Sequence, residues 1–259
     1  MSHFDEYRQE LAQLNLSTIE DLENLVKPLI KDAHKLLVKK ASISSENTPL
    51  QSHFGGEPYF EEGESWPYTE NGNCLSFVFQ VFNNQALSLP KGIELIQFYY
   101  DFESDAWNTN DEGWLVKIYE KIDPKKLIKI SSPLQSFQVT FCDIQFEPIK
   151  TLPDWEGISV HQPLASKLSC ILNEDEPWEK YNEMVKKLIG ESSYQSQLSG
   201  YPKWVQGEES PLNLENQPMQ LLFQIDSEEN AGLMWGDTGL IYVFYDELNK
   251  DIEFGLQCF

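Results

Sequence analysis

The sequence predicts an α+β fold, dominated by sheet and arranged as two related halves, and three observations carry that expectation. Six segments rich in branched and aromatic residues and bounded by turn formers read as strands: 75–81, 93–101, 113–122, 137–146, 219–226 and 238–246. Two other stretches repeat apolar residues at helical spacing. Finally, SHFGGEPYFEEGESWP at 52–67 aligns without a gap on SQLSGYPKWVQGEESP at 196–211, an offset of 144 residues.

The helices are taken first. Ser17 with Glu20 three residues on forms a capping-box pattern, and Leu22, Leu25, Val26, Leu29, Ile30, Ala33, Leu36 and Leu37 follow on one helical stripe. Residues 1–50 are therefore expected to be helical, with a kink or restart at Pro28, which lacks an N–H and crowds the preceding turn. Trp178, Tyr181, Met184, Val185, Leu188 and Ile189 mark a second helix, opened by Pro177 and closed by Gly190.

The repeat organises the strands. Its register continues through Phe79-Gln80-Val81 against Phe223-Gln224-Ile225, giving eight identities in thirty positions where composition alone gives about two. One residue later in offset, Leu95-Ile96 and Tyr100-Asp101 match Leu240-Ile241 and Tyr245-Asp246. The expected organisation is one compact domain over 1–259. It comprises the helical segment 1–50, a first β-rich half over 52–150, and a linker, helix and second β-rich half over 151–259. Residues kept in both halves, such as Gly56/Gly200 and Pro58/Pro202, are expected to shape turns and packing, while a single functional site would use residues that differ.

Composition narrows the function classes. Forty-two acidic residues face nineteen Lys and Arg, a formal charge of −23, and Arg8 is the one arginine. An acidic surface is repelled by phosphate backbones and lacks the bidentate arginines that read them, so nucleic acid is an unfit partner. No stretch approaches the ~18 apolar residues of a membrane span, and the amino terminus lacks a signal-peptide core, so the expectation is a cytoplasmic protein without a membrane partner. Cys74, Cys142, Cys170 and Cys258 form no CxxC pair, and His3, His34, His53 and His161 no HExxH, so spacing signals neither metal nor cofactor.

SHFGGEPYFEEGESWP followed by LSFVFQV, and later GYPKWVQ, LLFQIDSEE and GLMWGDTGLIYVFYD, resemble the signatures of the bacterial YwqG-like proteins, a domain of unknown function. The resemblance runs from about Ser52 to the carboxyl terminus. It implies a duplicated α+β fold and supplies no activity, hence no catalytic residues.

Candidate ligand-binding residues come from asymmetry between the halves. His53 and Glu57 face Gln197 and Tyr201 in the alignment, and Trp235-Gly236-Asp237 has no counterpart. Asp226, Glu228, Asn230 and Asp237 occupy positions 1, 3, 5 and 12 of a calcium-loop spacing, but Ala231 replaces the turn glycine and strands flank the loop. The candidates are thus His53, Glu57, Asp226, Trp235 and Asp237. The leading expectation is a noncatalytic, immunity-like module whose acidic face meets a basic protein partner. The alternative is a small-molecule-binding protein or enzyme with a pocket between the halves, its ligand unspecified.

Overall fold

A computed structural model describes residues 3–41, 49–83, 87–104, 106–134 and 138–259. Ten strands form one antiparallel sheet, and its pairing order reads alike from both edges. At the centre, β1 (Lys31–Lys40) pairs along its whole length with a later strand (Cys142–Thr151). The first side runs outward through β2 (His53–Phe54), β4 (Ser76–Phe82), β5 (Leu95–Tyr100) and β6 (Trp114–Tyr119). Beside it, β3 (Phe60–Glu61) pairs with β7 (Leu127–Ile128) in a separate ribbon. The Cys142–Thr151 strand is β8, and the second side runs outward through β9 (Gln197–Leu198), β10 (Gln220–Asp226), β11 (Leu240–Tyr245) and β12 (Ile252–Gln257). The two leading strands are exchanged: β1, which precedes the first side, pairs with β9, and β8, which precedes the second, pairs with β2.

Matching positions repeat the same local devices. Both seven-residue strands carry a register shift, at Phe77/Phe79 in β4 and at Leu221/Phe223 in β10. Gln80 accepts from Tyr59 N–H (2.9 Å) and donates to Gln51 O (2.8 Å), as Gln224 accepts from Lys203 N–H (2.9 Å) and donates to Gln195 O (2.7 Å). Ser52 Oγ accepts from Phe82 N–H as Ser196 Oγ accepts from Asp226 N–H. Where the sequences differ, the bond survives: Gln97 donates to Tyr59 O, and the Tyr242 hydroxyl donates to Lys203 O. Gly56 (φ +74°) and Gly200 (φ +81°) turn the chain identically, and a Cβ on Gly200 would stand 2.4 Å from Thr151 Oγ1.

The sheet curls until its edges meet. Phe254 N–H of β12 donates to Thr109 Oγ1 (2.8 Å), Leu256 N–H to Trp107 O (2.9 Å), and Trp114 of β6 stacks on Phe254 at 5.3 Å. The main core fills the curl, with Phe79 and Phe98 from one side against Phe223 from the other at 5.0 and 5.7 Å. This is where strands buried on both faces become near-continuous apolar runs.

The helices build a second core. α1 (His3–Gln13), α2 (Ile19–Val26), α3 (Trp155–His161), α4 (Pro163–Leu172) and α5 (Pro177–Ile189) bury Leu11, Leu22, Val26, Leu168, Tyr181 and Met184 together. α5 has the expected limits, with Gly190 at φ +86° ending it. The helical reading of 1–50 needs correction. Thr18 and Asp21, rather than Ser17 and Glu20, form the capping box, and Pro28 sits in a single 3₁₀ turn that ends the helix. Residues 31–40 are strand β1, with Ala33, Leu36 and Val38 buried. The strand expected over 137–146 begins at Cys142, and Phe137 lies outside the described residues. None of the described helices is long and apolar enough to cross a membrane.

Candidate functional site

The five candidate residues separate into distinct environments. His53 is buried, with Nδ1–H donating to Gly55 O at 2.7 Å and the ring between Phe77 and Phe141. Its counterpart Gln197 donates to Ser199 O at 3.0 Å, so the two unlike side chains hold the same turn. Burial moves the His53 imidazole below its ordinary pKa and keeps it neutral. Glu57 is half-exposed and paired with Lys129 at 2.6 Å.

The other three lie at the end of β10, where Asp226 is its last residue, and in the loop that follows. Trp235 is buried against Tyr100 and Phe102, and its indole N–H donates to Asp226 O at 3.2 Å. Asp226 is half-buried, which raises its pKa, and accepts from Ser227 N–H. Asp237 is exposed, and its carbonyl accepts from Phe259 N–H. The structure thus joins Asp226 to Trp235, and no described hydrogen bond or ring contact ties either to His53 or Glu57. The calcium-like spacing does not converge, because Glu228 takes the Ser196 hydroxyl and Asn230 donates to Val38 O. Among the described residues, no three His, Cys, Asp or Glu side chains are grouped to hold a metal.

Two of the larger concave regions lie elsewhere, one beside the second half and one where residues 107–110 of the first half meet β11 and β12. The first is a pair of grooves of about 480 Å³ each between α5, the end of β8 and residues 190–203, sharing Leu152, Glu191, Ser192 and Lys203. Asp154 lies in its wall. As the N-cap of α3 it accepts from Gly157 N–H (2.9 Å), and its other oxygen accepts from Trp204 N–H (2.8 Å), tying the helical layer to the second half. Desolvation raises its pKa to about 6, against the pull of those two donors and Lys203. Both oxygens are engaged, so Asp154 is a structural clasp within the groove wall.

The second region is a cavity of about 270 Å³ on the outer face of β11 and β12. Its wall includes Trp204, Tyr242 and Phe244, with Trp204 parallel to Phe244 at 5.9 Å. Glu209 and Glu253 supply its charge, Gly255 lies on its β12 side, and no Lys or Arg lines it. The Gln257 amide holds Glu209 by donating to its Oε2 at 3.1 Å while its own Oε1 accepts from Val205 and Gln206 N–H. The cavity thus combines two carboxylates with the aromatic side chains of Trp204, Tyr242 and Phe244, themselves nearly fully buried. Sequence reasoning missed it. Trp204 was visible in the repeat, but Glu253 and Gly255 lie beyond the aligned segment, after connections of unequal length.

No curated protein matches this sequence. Residues 52–251, most of the chain and both sides of the sheet, match the family described as Domain of unknown function (DUF1963), and the chain belongs to that family.

Proposed function

We propose that the chain is a noncatalytic, immunity-like binding module made of two duplicated YwqG-like halves, whose acidic surface engages a basic protein partner in the cytoplasm. The observation that carries the reading is the aromatic cavity lined by Glu209 and Glu253 and by no cation, in a chain of net charge −23. The repeated hydrogen bonds of Gln80/Gln224 and Ser52/Ser196 support duplication. Four free thiols are in keeping with a reducing compartment.

The test is affinity capture on the full chain at two ionic strengths, followed by association kinetics with each purified partner. Basic proteins should be retained, and association should slow as salt shortens the Debye length to about 8 Å. Recovery of acidic proteins only, or an association rate indifferent to salt, would overturn the reading.

A further inference from the structure

The first half already holds a cation where the second half is open. On the outer face of β6, Lys117 Nζ stands 2.6 Å from Glu64 Oε1, 4.9 Å from the Phe60 ring centre and 4.7 Å from that of Tyr119. Carried through the repeat and the strand registers, Phe60 corresponds to Trp204 and Glu64 to Glu208. Gln97 pairs with Lys117 as Tyr242 pairs with Gly255, so Gly255 stands in the place of Lys117.

Most differences between the two places favour an external ammonium; the exception is Gln257, which stands where Tyr119 does in the strand register and removes one ring face. Gly255 removes the internal one and leaves open space, since a Cβ built there meets no atom within 4 Å. Trp204 replaces Phe60 with the aromatic face that attracts cations best. Glu208 keeps the carboxylate of Glu64, engaged by the Trp204 indole N–H at 2.9 Å and Ser210 N–H at 2.7 Å. Glu209 and Glu253 replace Ser65 and Leu115, adding two anions that line the cavity.

We propose that the cavity beside Gly255 receives the side-chain ammonium of a lysine from the protein partner, in the position that Lys117 occupies in the first half. This rests on the reading of the chain as a binder of basic proteins and assigns the contact that gives it specificity. Lysine is favoured over arginine because the resident group in the equivalent place is an ammonium on a four-carbon stem.

The test is a titration of the ¹⁵N-labelled full chain with the capped peptide Gly-Lys-Gly, and with its norleucine analogue, reading the Trp204 and Trp107 indole N–H resonances. The lysine peptide should shift both and the norleucine peptide neither. Gly255→Lys, which supplies the cavity with its own ammonium, should weaken lysine-peptide binding by about tenfold or more, while Gly255→Ala stays close to wild type. The paired variant Glu209→Gln with Glu253→Gln, at side chains outside the core, should weaken it similarly and provides a second reading should Gly255→Lys fail to fold. Unchanged binding by a folded Gly255→Lys or by the glutamine pair would overturn the cavity assignment. So would a chain that ignores the peptide yet binds basic proteins in a salt-dependent way, with the broader reading left standing. Failure to bind either would overturn both.

Discussion

At the scale of single residues, unlike side chains do equal work. His53 and Gln197 each donate to the carbonyl two residues on, and Gln97 and Tyr242 each reach the carbonyl of the residue that Gln80 or Gln224 anchors by its N–H. Difference between halves was the reason to single out His53, and its geometry assigns it a turn-holding bond. Asp154, by contrast, carries a pH signature. Its folded pKa of about 6 lies above the ordinary 3.8, so the folded state holds the proton more tightly. Stability from this group is fully present below the unfolded value and is lost as pH rises through about 6. Denaturant unfolding of wild type and Asp154→Asn should therefore show a wild-type advantage that shrinks by about 3 kcal/mol between pH 3.5 and 7, two pKa units at ~1.4 kcal/mol each. An advantage constant across that range would contradict burial as the dominant influence on this carboxylate.

At the scale of elements, the sequence was legible where local pattern and tertiary context agree. The apolar runs of β4, β5, β10 and β11 are long, branched and aromatic, and each is buried along nearly its whole length. α5 is legible for the same reason, with proline at its start and glycine at its end. Residues 31–40 were not. Ala33, Leu36 and Leu37 fit a helical stripe, but Ala33 and His34 to Lys40 find a full ladder on β8, and Leu36 N–H donates to Ser196 O at 2.9 Å. Long-range pairing on both edges outweighs a helix preference of at most ~0.7 kcal/mol per residue. Two-residue strands such as β2 and β9 leave no periodic trace at all. Native-state hydrogen exchange should place the Leu36 amide, bonded to Ser196 O, among the slowest in the chain, opening only with global unfolding. Exchange as fast as that of the exposed turns of α1 would show that β1 is not the central strand.

At the scale of the whole molecule, two sides of one curled sheet share a core while presenting different outer faces. The shared core was partly readable from the repeat, because Gln80 and Gln224, matched in sequence, make the same hydrogen bonds to the segments that cover them. The cavity was not, because Lys117 and Gly255 come into correspondence only through strand register, after connections of different length. Lys117 on one side and Gly255 on the other thus distinguish two places that the strand registers bring into correspondence. The most direct measurement is a crystal structure of the full chain with a bound lysine-containing peptide, its second half superposed on its first. The account predicts that the peptide ammonium lies against the Trp204 ring, between Glu209 and Glu253, on the image of Lys117 Nζ. A peptide bound through other acidic groups, with the cavity beside Gly255 left vacant, would contradict it.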